Sequence, residues 1–276
     1  MRTIKAIAVS ICAVALGMSA RPACAQTLVA DYQLQGTYNS AVGTIGPLSV
    51  VGTAADVAFT TGADVDGNTQ TVLSVNVNNN NVADAGAGVQ AQTAGFLSAS
   101  NYSVVLLADF NLAPDLVATK VFDFKNLSSD AGLYINDTTG LLYFNGATGA
   151  TGTQAALTST YTQIVLTRDS TTNLVTVYEN GSQDFQFDDT TGLAILGDSV
   201  SPSSNAYLTA FKDDGTGVGS TLVNETSVGD IARLRLYDGV LTPAEVAPLD
   251  TTIPEPVASS LMFLSGALLL RRRARR

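Results

Sequence analysis

The stretch Phe211-Lys-Asp-Asp-Gly-Thr-Gly217, followed a short loop later by Glu225, gathers carboxylates and glycine-loop carbonyls in one place. Hard calcium takes 6–8 oxygens, many of them from such loops. Asp213, Asp214 and Glu225 are therefore candidate calcium ligands. The competing reading is that Asp213 and Asp214 cap a turn and stay in water. Asp64-Val-Asp-Gly-Asn68 echoes the start of an EF-hand loop. It lacks the bidentate glutamate at the twelfth position, so it reads as a turn.

The absent residue types are equally informative. The chain has no histidine and no tryptophan, and its two cysteines are Cys12 and Cys24. That removes the Ser-His-Asp triad, the Cys-His dyad and the ordinary zinc site. A glycosidase would need two positioned carboxyls. The body offers Glu179, Glu225 and Glu245, with no closely spaced acidic cluster on one strand. Glu179 sits beside a hairpin turn, Glu245 reads as a helix cap, and Asp188-Asp189 reads as a solvated turn. The expectation is a protein that is not an enzyme. Tyr32, Tyr38, Tyr134, Tyr143 and Tyr207 are the aromatic surfaces left for stacking on sugar, although tyrosines in a β-rich chain mostly pack strands.

Charge narrows the partners. Between Gln26 and Ile253 there are 23 Asp plus Glu against 6 Lys plus Arg. Such a body repels nucleic acid and anionic membrane. It suits calcium, cationic partners or solubility outside the cell.

The two ends read as addresses. Arg2 and Lys5 precede an apolar stretch from Ala6 to about Met18, and Ala23-Cys24-Ala25 precedes Gln26. This is the layout of a secretory signal peptide over residues 1–25, with Ala23 and Ala25 framing the cleavage site. At the other end, Val257 to Leu270 is an uncharged run of 14 residues before five arginines. As a helix it reaches about 21 Å, short of a hydrocarbon core of about 30 Å. The arginines would stay on the cytoplasmic side. Such a marginal helix suits transient inner-membrane association.

Pro254-Glu255-Pro256, the hydrophobic run and the cluster Arg271, Arg272, Arg273, Ala274, Arg275, Arg276 together resemble a PEP-CTERM sorting signal. The resemblance implies an exosortase-type membrane protease as partner. It further implies removal of the tail and delivery to the cell surface or an extracellular polysaccharide matrix. An ordinary tail anchor is the alternative.

The body reads as strands throughout. Tyr102 to Asn111, Leu141 to Phe144, Tyr161 to Arg168, Ala206 to Phe211 and Ile231 to Tyr237 are β-rich. Leu174 to Tyr178 and Phe185 to Phe187 flank Asn180-Gly181, a hairpin signal. Asn76 to Asn81 is a polar, low-complexity loop. Thr242, Pro243 and Glu245 form a capping box with proline at the first helical position, which predicts one short closing helix. The fold class is all-β, an antiparallel sandwich or jelly roll, with a separate hydrophobic helix at the C-terminus. The domain spans 26–250, a linker with the Pro-Glu-Pro motif 251–256, the sorting helix 257–270 and the arginine cluster 271–276.

VGDIARLRLYDGVLTPAEV, from Val228 to Val246, is similar to the closing strand and helix of laminin-G-like domains of the concanavalin A-like lectin/glucanase superfamily. Asn101-Tyr-Ser-Val-Val105, Tyr161 to Asp169 and Val177 to Gly181 fall in that family's order, over about Leu28 to Leu249. That resemblance implies the concanavalin A-like fold. Its functions range over lectins, glucanases, adhesion modules and spacers. The reading is an exported, non-catalytic surface or extracellular-matrix protein. The alternatives are a lectin-like or adhesion module for glycan or surface protein, with calcium as its cofactor, and more remotely an exported glucanase.

Overall fold

The strands follow from stretches that alternate inward apolar and outward polar residues, separated by Gly-, Asn- and Asp-rich turns. In chain order they are β1 (Thr27–Tyr32), β2 (Ser49–Gly52), β3 (Val57–Ala63), β4 (Thr69–Val75), β5 (Ala87–Gln92), β6 (Tyr102–Asn111), β7 (Ala118–Asp123) and β8 (Gly132–Asn136). They continue with β9 (Leu141–Asn145), β10 (Thr151–Ala155), β11 (Thr162–Asp169), β12 (Leu174–Glu179), β13 (Ser182–Asp188), β14 (Tyr207–Ala210) and β15 (Val228–Asp238), closed by helix α1 (Pro243–Val246). This computed structural model describes residues 26–43, 45–63, 69–76, 86–111, 118–156, 160–197, 205–214, 227–249 and 251–255. The signal-peptide residues, Asp64 to Asn68, Val77 to Asn81, Glu225, Pro256, the hydrophobic run and the arginines lie outside the described residues.

Two antiparallel sheets form a sandwich. Sheet A runs β13-β12-β11-β6-β15-β4-β3, with β1 also on β15; sheet B runs β10-β9-β8-β7-β14-β5-β2. One continuous core fills the space between them. Val104, Leu106, Ile164, Leu166, Leu234 and Leu236 enter from sheet A, and Val89, Phe122, Leu133, Phe144 and Leu208 from sheet B. The expected Asn180-Gly181 hairpin is present between β12 and β13, with φ of 47° and 81°. Both angles lie in the left-handed region that such two-residue turns demand. The capping box also forms: the Glu245 carboxylate accepts from the Thr242 amide at 2.8 Å and its hydroxyl at 2.7 Å.

One expectation changes. Asp188 is exposed, but Asp189 is fully buried and ion-paired to Arg168, 2.7 Å from Oδ2 to Nε. The arginine, at the far end of β11, turns an apparent solvated pair into a structural anchor. Glu179 stands beside the Asn180-Gly181 turn as expected, and is buried there. Burial, with Asp184 nearby, pushes its carboxyl up to about 7.

Outside the sandwich, Ile253 packs with Val72, Leu107, Tyr161 and Ala232. Leu107 lies between the inward Leu106 and Ala108, so this small cluster sits on the outer face of sheet A. Among the described residues no helix is long and apolar enough to cross a membrane.

Candidate functional site

The outer face of sheet B carries the chemistry. Its inward residues are Val89, Leu208, Ala210, Phe122, Leu133, Ile135, Leu142 and Phe144. Alternation therefore turns their neighbours outward. Strand register lines those neighbours up across the sheet. Ser49 is opposite Gln90, Gln90 opposite Thr209, Thr209 opposite Asp123, Asp123 opposite Gly132, and Gly132 opposite Asn145. A parallel row runs Lys120, Tyr134, Tyr143, Thr151. One row is amide, hydroxyl and carboxylate. The other is a cation beside two stacked rings, Tyr134 and Tyr143, with centroids 5.5 Å apart.

Lys120 is the hub. Its ammonium is buried, donates to the Tyr134 hydroxyl at 2.5 Å and lies 4.3 Å from that ring's centre. It also stands 3.5 Å from Asp123 Oδ2 and 3.5 Å from Asp213 Oδ1. Gly132 makes the room: a β-carbon there would lie 2.8 Å from Lys120 Cε. The Tyr134 hydroxyl lies 2.6 Å from Asp130 Oδ1, to which it donates, and 3.1 Å from Asp213 Oδ1. Asn145 Nδ2 donates to Asp130 Oδ2 at 2.8 Å.

Loops bring the acids together. Asp130 lies in the β7–β8 connection, and Asp213 and Asp214 follow β14. One carboxylate oxygen from each of the three lies within 4.8 Å of the others. With Asp123, four carboxylates gather around one ammonium. Burial raises the Asp123 carboxyl, against the opposing pull of Lys120 and two backbone amides. Burial also raises that of Asp130, against the Tyr134 hydrogen bond and Lys120. Two buried oxygens here accept or donate no hydrogen bond: Asp123 Oδ2 and, directly opposite in register, Thr209 Oγ1. Leaving such atoms without hydrogen-bond partners is costly, and among the described residues neither the carboxylate oxygen nor the hydroxyl has one.

This donor set fits calcium. Calcium–oxygen distances of about 2.3–2.6 Å place oxygens sharing an ion within roughly 5 Å of one another. Asp130, Asp213 and Asp214 would hold it, and it would supply positive charge and open positions for hydroxyl oxygens. Of the ligands expected from sequence, Asp213 and Asp214 meet here and Glu225 lies outside the described residues. Asp130 was missed. It lies far away in sequence, beside Ser128-Ser129, and only the β7–β14 pairing joins it to the pair. Among the tyrosines, Tyr134 and Tyr143 share this face, Tyr207 is half-exposed on it, Tyr32 is core, and Tyr38 packs on Phe59. Of the sorting motif, Pro254 is buried and Glu255 exposed.

No protein-family model and no curated protein matches the chain. A solved structure shares its fold. Domain 4 of AbnA, a GH43 extracellular arabinanase from Geobacillus stearothermophilus, in complex with arabinotriose, superposes with a TM-score of 0.55 at 19% identity. That match covers 80% of this chain and 97% of that one. The sialidase of Trypanosoma rangeli, in complex with the inhibitor DANA, matches with a TM-score of 0.49 at 12% identity, covering 80% of this chain and 32% of the sialidase. This chain therefore spans about a third of that enzyme. At such identities the likeness is one of fold.

Proposed function

We propose that this chain is an exported, non-catalytic surface or extracellular-matrix protein whose sandwich is a lectin-like module for glycan, assisted by calcium. One observation carries the reading. The acidic loops of Asp130, Asp213 and Asp214 meet on the same sheet face as the Tyr134–Tyr143 stack and the Gln90–Thr209–Asp123–Asn145 row. Sugars present hydroxyls that both donate and accept, beside apolar ring faces. Asp123 Oδ2 and Thr209 Oγ1, buried in that row, have no hydrogen-bond partner among the described residues. The laminin-G-like sequence features agree with it, and so does the arabinotriose complex of the arabinanase domain that shares the fold. A calcium ion between the three aspartates would fix the two loops relative to the sheet and present charge to hydroxyl oxygens.

Export rests on the signal-peptide layout. Sorting rests on the Pro-Glu-Pro motif, its hydrophobic run and its arginines, with an exosortase-type protease as partner. Non-catalysis rests on the acids themselves: Asp130 is tied to Tyr134 and Asn145, and Asp123 and Asp213 flank an ammonium.

Glycan-array binding of residues 26–255, with calcium and again with chelator, tests the reading. Calcium-dependent signal is expected, without release of reducing sugar from the glycan bound. Signal unchanged by chelator removes calcium from the proposal. Silence in both removes glycan and leaves the surface-protein reading with protein partners.

A further inference from the structure

The residues just before the Pro-Glu-Pro motif are not a free linker. Ile253 is 3% exposed and seals a cluster of Val72, Leu107, Tyr161 and Ala232 drawn from β4, β6, the start of β11 and β15. Pro254 is buried beside it, and Glu255 is the first exposed residue. Leu107 and Ala232 are outward-facing residues of the two central strands of sheet A, and the Ile253 side chain is what covers them. Removing it would expose apolar surface at the middle of the sheet, which costs free energy in proportion to area.

We infer that the folded body ends at Pro254, inside the motif, and that the sorting enzyme cuts no earlier than the Glu255–Pro256 bond. The inference rests on the sorting reading for the existence of the cut, and on packing alone for its position. A protease cleft holds an extended stretch of backbone on both sides of the bond it breaks. The Ile253–Pro254 and Pro254–Glu255 bonds cannot be presented for cutting while Ile253 packs with Leu107 and Ala232 and Pro254 is buried. Hydrolysis adds the hydroxyl of water to the carbonyl carbon of the last retained residue. The hydrophobic run and arginines leave with a new amino terminus. The mature protein therefore keeps Ile253 and Pro254 as structural residues.

Two measurements on protein made from the full gene in the native host test this. The first is intact mass. A C-terminus at Glu255 or beyond, with the arginines gone, is expected; one at or before Pro254 overturns the inference. The second is thermal melting of wild type against Ile253→Ala and Ile253→Asp. Wild type should melt roughly 5 °C above Ile253→Ala and further above Ile253→Asp. Equal melting temperatures overturn the packing claim. If the arginines are retained, the sorting reading fails and with it the cut; melting then still decides whether the body ends at Pro254. Two further outcomes separate the parts. A lowered melting temperature with unchanged processing in Ile253→Asp would overturn the positioning of the cut by packing. Ragged C-termini upstream of Glu255 in that variant would support it.

Discussion

Two of the buried ionic clusters in this sandwich are built on opposite principles. At one end of sheet A, Arg168 and Asp189 face each other one to one. The Asp189 carboxylate accepts from Arg168 Nε at 2.7 Å and from the amides of Leu193 at 2.5 Å and Ala194 at 3.2 Å. Arg168 spends a further donor on the Ser100 carbonyl at 2.6 Å. Each oxygen of that carboxylate has a donor. On sheet B, carboxylates outnumber the Lys120 ammonium, and Asp123 Oδ2 and Thr209 Oγ1 have no hydrogen bond. A closed cluster holds a fold together. An open one, equally buried, leaves polar atoms without partners among the described residues.

The comparison can be broken most decisively at the closed cluster. Asp189→Ala strands a buried guanidinium and should cost about 3–5 kcal/mol, read by denaturant unfolding. Any calcium response of the surviving folded protein should be unchanged. A loss under about 1 kcal/mol would mean that Arg168 reaches water, and the contrast would fail.

The open cluster is expected to behave the other way. Calcium at a hundredfold over its dissociation constant should add about 2.7 kcal/mol to the wild type. Asp213→Asn and Asp130→Asn should each abolish that gain, while changing stability in chelator by less than about 1 kcal/mol. Wild-type melting that is indifferent to calcium would return the cluster to a solvated acid network around Lys120.

Glu179 sharpens the contrast at the smallest scale, because it is buried with Asp184 nearby and, among the described residues, is in no ion pair. Its folded value of about 7 lies above its ordinary 4.5, so the folded protein holds the proton more tightly than the unfolded chain. Its contribution therefore falls as pH rises from about 4.5 through 7, and stays low above that. Glu179→Gln should raise the melting temperature at pH 8, and the gain should fade towards pH 4. A variant as destabilised at pH 8 as at pH 4 would show that the carboxylate is charged and hydrogen-bonded at neutral pH.

Much of the fold was legible in the sequence where one face is apolar and β-branched. Tyr102 to Asn111, the Asn180-Gly181 hairpin and the capped helix stand where their periodicity and turn chemistry put them. Strands such as β5 (AGVQAQ) and β10 (TGTQA) were not, because Gly and Ala are poor strand formers and interrupt the pattern. Their place is set by tertiary pairing with β14, β2 and β9. The site was half legible. Asp213-Asp214 stands out as an acidic pair in a glycine loop. Asp130 and Lys120 do not, since a lone aspartate beside serines and a lone lysine in a strand look like surface. Asp189 misled for the same reason: its partner lies a hairpin away, on β11.

The docking of Ile253 has a mechanical side. The chain leaves the sandwich from the outer face of sheet A, while the acidic loops and stacked tyrosines lie on the outer face of sheet B. A tether at the C-terminus and a ligand on the opposite face would put tension across the core rather than along a strand. The first element to yield would be the Ile253 contact, and peeling it would lengthen the tether by a few residues before any strand is loaded. Before the proposed cut, the same arrangement would turn the proposed ligand face away from the membrane holding the tail.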